Sequence, residues 1–156
     1  MTRLILALVA ALLTGPLFAQ NSGEQAIHAA ARTGSGDDVR QLLRQDAKNR
    51  DARTALGSTP LHLAAMNPDT SAMFALLAVG ADPNARDNDG ATPLHMAAYA
   101  SRAPHTRILL EAGADPLAKT DNGRDAAAMA RKVKADETAG VISLWLLKGC
   151  KAGKPC

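Results

Sequence analysis

Short apolar segments with helical spacing alternate with polar, glycine-containing segments along most of this chain. The apolar positions in residues 60–65 recur in residues 93–98, and in both segments leucine and alanine fall on one face of a helix. A second helix is predicted after each segment, over about 70–79 and about 104–112, and each ends in two leucines followed by a glycine that can stop it. The pattern therefore predicts pairs of short helices joined by polar turns.

The two helix pairs repeat each other at a fixed offset of 33 residues. The segment that starts at Gly57 and the segment that starts at Gly90 both contain threonine, proline, leucine and histidine in that order. Threonine can cap a helix, and proline is favoured at the first helical position, so the first helices are predicted to start near Pro60 and Pro93. A T-P-L-H-x-A motif at this period closely resembles the ankyrin-repeat family. That resemblance implies an all-α repeat solenoid of stacked helix-turn-helix ankyrin repeats with projecting β-turn fingers.

Less regular units flank these repeats, so the resemblance covers about residues 24–149 of a repeat domain placed at 20–149. We assign an N-terminal cap repeat to about 24–56, full repeats to 57–89 and 90–122, and a C-terminal cap repeat to 123–149. In the last unit the second helix is predicted to be delayed. It is expected in the apolar run 141–147, with Asp136 and Glu137 in the connection before it. Terminal repeats depart from consensus because their outer faces contact water.

The amino-acid composition indicates what kind of core the protein has and which class of partner is not expected. Aromatic residues make up only 3% of the 156 residues, so a core of small and aliphatic side chains is expected in a single domain. The 18 basic and 15 acidic residues are nearly balanced, which does not indicate a nucleic-acid partner.

The first nineteen residues differ from the rest of the chain. Arg3 precedes an apolar run, residues 4–13, and a small-residue site ends at Ala19. This pattern predicts a signal peptide over residues 1–19 that is cleaved after Ala19. The alternative, an uncleaved membrane anchor, needs about 20 apolar residues, and this segment is shorter and contains Gly-Pro. We therefore expect an exported, periplasmic protein without stable membrane insertion, although an extracellular location is also possible.

The two cysteines, Cys150 and Cys156, both lie in the C-terminal tail at 150–156. In an oxidising compartment such a pair is typically a disulfide, and this is the favoured interpretation. A metal site is less favoured because two thiolates do not complete a four-coordinate shell. A redox-active pair remains an alternative, although the spacing is not C-x-x-C.

Three histidines, His28, His62 and His95, occur at equivalent positions of successive repeats. Stacked helices lie about 8–10 Å apart, whereas zinc needs its histidine nitrogens at about 2 Å. We therefore interpret these histidines as braces between turns and predict neither a metal nor a cofactor. No catalytic motif with a nucleophile and a base is present, so an enzyme is not predicted.

The resemblance implies a partner surface made of finger tips and the exposed positions of the first helices, which together line a concave groove. Met66 and Tyr99 are 33 residues apart, so they should lie side by side with basic groups around them. Such a cluster is typical of binding hot spots, although an ordinary solvated face is the alternative at any one position. The predicted protein-binding residues are Arg32, Arg53, Leu56, Met66, Asn67, Arg86, Asn88, Asp89, Tyr99, Lys119, Asp121, Asn122 and Lys132.

These features predict a non-enzymatic, monomeric protein-protein interaction module that binds and modulates another envelope protein. The chain resembles small exported bacterial ankyrin-repeat proteins, a resemblance that implies protection or restraint of envelope enzymes. The alternative hypothesis is a redox-responsive or oxidative-stress protection factor that uses the Cys150/Cys156 pair. Neither hypothesis requires a metal ion or a cofactor.

Overall fold

The computed structural model describes residues 24–154 and 156, and within this part of the chain the regular structure is helical. The predicted signal peptide, residues 1–19, lies outside the described residues. A 3-10 helix, Ala47–Asp51, follows the second α-helix. The α-helices are α1 (Ala26–Thr33), α2 (Gly36–Gln45), α3 (Pro60–Ala64), α4 (Ser71–Ala78), α5 (Pro93–Tyr99), α6 (Ala103–Glu111), α7 (Ala126–Lys132) and α8 (Asp136–Leu147).

The helices form two layers. The inner helices α1, α3, α5 and α7 pack on one another in chain order, and each packs against the outer helix that follows it, α2, α4, α6 or α8. Loops 46–59, 79–92 and 112–125, which we call the fingers, connect each outer helix to the next inner helix. This arrangement confirms the predicted solenoid of helix-turn-helix repeats.

The inner helices begin where the sequence predicts, at Pro60 and Pro93. The N–H of Thr59 donates to Nδ1 of His62 at 3.1 Å, and the N–H of Thr92 donates to Nδ1 of His95 at the same distance. Histidine thus takes the place that glutamate or glutamine has in a capping box. Each of these two helix starts satisfies a backbone donor that would otherwise be buried without a partner.

The core is built from small and aliphatic side chains, as the composition predicts. Ala64, Ala65, Ala97 and Ala98 are fully buried between neighbouring repeats, with leucines, Met73 and isoleucines filling the remaining volume. Because alanine allows close helix contact, such short helices can stack with few voids.

The recurrent histidines also connect each repeat to the next finger. Nε2 of His28, His62 and His95 donates to the carbonyl oxygens of Ala52, Ala91 and Arg124 at 3.0–3.1 Å. These buried rings use both nitrogens for backbone bonds, which confirms the bracing role. Because Nδ1 accepts an N–H, the network fits the neutral ring with its proton on Nε2.

Each finger contains a β-turn, as predicted. The N–H groups of Gly57, Gly90 and Gly123 donate to the carbonyl groups three residues earlier, at 2.8–3.1 Å. Adjacent fingers are then bonded to each other, since the N–H of Asn88 donates to Leu56 and that of Asp121 to Asp89, both at 3.0 Å. The fingers therefore form a stacked row and not independent loops.

The second helix of the last repeat starts earlier than the sequence predicts. The helix α8 starts at Asp136, which is 33 residues after the start of α6, so the second helix is not delayed. Asp136 and Glu137 form its first turn, where acidic groups favour the helix dipole. Arg131 and Ser143, both exposed, take the positions that buried Ala98 and Leu110 have one repeat earlier. This polar outer face is what a terminal repeat requires.

Candidate protein-binding groove

Four predicted binding residues occupy the same repeat position, one in each of the four repeats of the inner layer. Arg32, Tyr99 and Lys132 lie at the C-terminal ends of α1, α5 and α7, and Met66 lies just after α3. Tyr99, the single tyrosine of the chain, has a side chain that is 60% exposed, and Met66 is half-buried. Because the inner helices stack in order, these side chains follow one another across the repeats. We call them the end row.

A second row, which the sequence analysis missed, runs beside the end row. Leu63, Met96 and Met129 each follow the position of the recurrent histidine by one residue and pack on the core while remaining partly exposed. Their 33-residue spacing is a usable signal in the sequence, although apolar residues inside an amphipathic helix are more often core. Together with the end row and the exposed finger residues, this methionine-rich row forms what we call the groove surface. Flexible thioether side chains suit a surface that adapts to a partner.

The groove surface contains a pocket of about 190 Å³ at its N-terminal end. Arg32, Leu56 and Leu63 line it, so an inner helix and a finger meet there. Leu56 is 73% exposed at the rim, and Arg32 forms an ion pair with Glu24 at 2.5 Å. The pocket therefore has both apolar and charged side chains in its lining.

Two predicted arginines bind the fingers to each other. Nη1 of Arg53 donates to the carbonyl groups of Gly57 and Arg86, both at 2.7 Å. Nη2 of Arg86 donates to the carbonyl of Lys119 at 2.9 Å and lies 3.4 Å from Oδ1 of Asp121. Since these guanidinium groups already have backbone acceptors, their main role is to hold the finger row, although both side chains remain exposed.

The other predicted finger residues fall into two groups: those that join neighbouring fingers and those whose exposed side chains a partner can reach. Nδ2 of Asn88 donates to the carbonyl of Ala55 at 3.0 Å, which again joins two fingers. Asp89, Lys119 and Asn122 are exposed at the finger row, so their side chains can be reached by a partner.

Asn67 does not belong to the groove surface, and its assignment as a binding residue is corrected. Its side chain is only 3% exposed, and Nδ2 donates to the carbonyl groups of Ala31 and Gly34 at 3.0 and 3.1 Å. Oδ1 accepts the N–H of Asp69 at 2.9 Å. The asparagine follows the end row by one residue, and that single step turns it from the surface to the junction between two repeats.

Electrostatically, the groove surface depends on its arginines, lysines and carboxylates and not on histidine. Burial lowers the pKa of His62 and of His95, so both rings stay neutral at physiological pH. Among residues 24–154 and 156, no group of three or more histidine, cysteine, aspartate or glutamate side chains is close enough to hold a metal ion. None of the helices described for the same residues combines the length and the apolar character that a membrane span requires.

The cysteine tail lies beside the outer helices, in the layer opposite to the groove surface. The sulfur atoms of Cys150 and Cys156 are at bonding distance, and their Cα atoms are 5.5 Å apart, as expected for a disulfide. The N–H of Gly153 donates to the carbonyl of Glu111 at 2.8 Å, which attaches the tail to the end of α6.

Comparison with known proteins agrees with this architecture. The family model described as ankyrin repeats, in three copies, matches residues 4–87 and 27–120, which together span about three quarters of the chain. A mitochondrial disaggregase from Bos taurus is 41% identical over 68 residues. That alignment covers 44% of this chain and 10% of the bovine protein, so the chain matches only a small part of that relative.

Proposed function

Because the chain belongs to the ankyrin-repeat family, a family of protein-protein interaction modules, we propose that it binds another protein through the groove surface and catalyses no reaction itself. The observation that carries this proposal is the exposure of Tyr99 beside the partly exposed methionine row. An exposed aromatic side chain flanked by methionine and basic groups is a typical hot spot. In this proposal Met66 and Tyr99 are the apolar anchors.

The polar groups of the groove surface would set the orientation of the partner. Arg32, Lys119 and Lys132 are exposed, and Arg32 forms an ion pair with Glu24. Such groups favour a partner segment with carboxylate or carbonyl oxygens and raise the rate of association more than the affinity. Arg53 and Arg86 contribute indirectly, because they keep the finger row in place.

We further propose that the partner is an envelope protein in the periplasm, and that binding inhibits, protects or stabilises it. The pattern of residues 1–19 supports export, since it has the charged start, apolar run and small-residue site of a signal peptide. Detection of the full-length or processed chain in a periplasmic fraction, with the N-terminus read by mass spectrometry, tests this location. Retention of the unprocessed chain in the cytoplasm would contradict it.

The groove is tested by affinity capture from an envelope extract. The mature chain, the double variant Met66→Ala/Tyr99→Asp, and the matched control Phe74→Asp would be compared. Phe74 is an exposed aromatic residue on the outer helix α4, so its variant changes charge and apolar area away from the groove. We expect one or more proteins to be retained by the wild type and the control and lost by the groove variant.

Equal capture by the groove variant, at wild-type helicity and denaturation midpoint, would refute the placement of the site. A groove variant with a lowered midpoint would be replaced by Tyr99→Ala alone, since Tyr99 is mostly exposed and its truncation leaves the core intact.

A redox role of the tail is the second candidate, and the paired, partly exposed cysteines favour it. A dithiol reductant would convert the disulfide to two thiols and itself become a disulfide, and release of the tail would change the environment of Trp145. The test compares Cys150→Ser/Cys156→Ser with the wild type for protection of the captured partner against peroxide. Equal protection by both proteins would rule out this candidate.

A further inference from the structure

A cavity outside the groove lies between the two outer helices α6 and α8. Its volume is about 120 Å³, and it is lined by Arg107 and Glu111 of α6, by Val141, Leu144 and Trp145 of α8, by Lys148 and by Cys156. The groove surface lies on the inner helices and fingers, so the two regions occupy different layers of the solenoid. This outer cavity can therefore be occupied while the groove is filled.

The size and lining of the outer cavity suit one apolar side chain. A cavity of about 150 Å³ lined by aliphatic and aromatic groups binds benzene. The present volume of about 120 Å³ is somewhat smaller but of the same order, so it is the size of one leucine or phenyl side chain and no more. Trp145 is only 7% exposed and offers an aromatic wall, while Leu144 is 55% exposed at the rim. Apolar area at the rim would be buried by the chain that carries the inserted side chain.

The charge around the outer cavity is mainly basic. Arg107 and Lys148 line it, Lys151 and Lys154 lie in the adjoining tail, and Glu111 is the acidic lining residue. Within residues 24–154 and 156, none of these four basic side chains forms an ion pair. Such an arrangement attracts carboxylates on both sides of an inserted apolar group.

The disulfide-bonded tail completes the cavity. Cys156 forms one wall, Cys150 packs against the core, and the bond from Gly153 to Glu111 keeps the tail against α6. Cys156 therefore supplies part of the cavity lining from outside the two helices.

We propose that the outer cavity is a second protein-binding site, which accepts one leucine or phenylalanine side chain from an acidic segment of a partner protein. The apolar side chain contacts Trp145 and Leu144, and the flanking carboxylates pair with Arg107 and Lys148. The site is independent of the groove, so a partner can be held at both layers or two partners can be bound at once.

The fluorescence of Trp145, the single tryptophan of the chain, reports occupancy directly. The full chain with its disulfide intact would be titrated with an acetylated, amidated pentapeptide that has phenylalanine between two pairs of aspartates. Two control peptides replace the phenylalanine by alanine or the aspartates by lysines. We expect a saturable change with the first peptide and an at least tenfold weaker response with each control.

Variants locate the site. Arg107→Glu/Lys148→Glu should weaken the first peptide at least tenfold and improve the lysine peptide, while Met66→Ala/Tyr99→Asp in the groove should leave the affinity unchanged. Reversal of peptide preference by a charge change cannot result from simple unfolding. Failure of this test leaves the groove proposal intact, because the two sets of variants do not overlap.

Isothermal titration calorimetry with the same peptides detects binding that leaves the fluorescence of Trp145 unchanged. Absence of saturable heat and fluorescence, equal binding of all three peptides, or loss of binding in the groove variant would each overturn the proposal.

Discussion

The row of stacked fingers makes a quantitative prediction for two glycines with the same backbone conformation. Gly57 and Gly123 occupy equivalent positions in their β-turns, with φ of +75° and +73°. An L-residue pays roughly 1–2 kcal/mol in this left-handed region, so both alanine variants lose about that much stability from the backbone alone. The surroundings differ, because a Cβ at Gly123 has no neighbour within 4 Å, whereas a Cβ at Gly57 would meet Asn88.

Asn88 cannot move away from Gly57 without losing bonds. Its N–H and its Nδ2 donate to the carbonyl groups of Leu56 and Ala55, both at 3.0 Å. Overpacking of this kind costs about 1–3 kcal/mol, and a lost hydrogen bond costs about 1 kcal/mol. We therefore expect Gly57→Ala to lower the free energy of unfolding by about 3–6 kcal/mol and Gly123→Ala by about 1–2 kcal/mol.

Urea denaturation provides the assay, followed by both far-UV circular dichroism and Trp145 fluorescence. Two signals are needed because repeat proteins can unfold in parts, and Trp145 reports the last repeat while the dichroism reports all helices. Equal losses for the two variants would show that the packing of neighbouring fingers at Gly57 does not contribute to stability.

Three further predictions follow from the fold. Asn67→Ala should lower the free energy of unfolding by about 2–3 kcal/mol, because one buried and one partly buried carbonyl group lose their donor. Under conditions in which the variant is folded, it should bind the captured partner as the wild type does. Burial lowers the pKa of His62, His95 and His105, so the unfolded chain binds more protons below about pH 6.5 and stability should decrease as the pH falls from 7.5 to 5. Each histidine contributes at most about 1.4 kcal/mol per pH unit to this decrease; urea midpoints at a series of pH values measure it, and a constant midpoint would contradict it. Arg131→Ala/Ser143→Leu restores the apolar residues of an internal repeat at the C-terminal face, so sedimentation should detect concentration-dependent association of this variant, and a sedimentation profile identical to that of the wild type would show that these two residues do not cap the stack.

The regular part of this fold could be predicted from sequence because its signals are local. Threonine followed by proline marks the start of an inner helix, and a 33-residue repetition places each helix in the stack. The start of α8 was missed because Asp136 and Glu137 look like a connector, whereas they are favourable in the first turn of a helix.

The candidate site was predicted less completely, since position in a repeat does not state what a side chain contacts. Asn67 is one residue from Met66 and yet turns into the junction between repeats. Arg53 and Arg86 sit in the fingers as expected, but their bonds to carbonyl groups of the next finger required the structure. The methionine row had a detectable period, and only its partial exposure separates it from ordinary core.

Site-specific photocrosslinking in living cells shows whether a protein is bound at the groove surface. A photoreactive phenylalanine analogue would replace Tyr99 in the groove or Phe74 on the outer helix, with both variants expressed at the native level. If a protein binds at the groove, position 99 crosslinks to a discrete partner protein and position 74 does not. Crosslinking of the same partner from position 74 alone would show that it binds elsewhere.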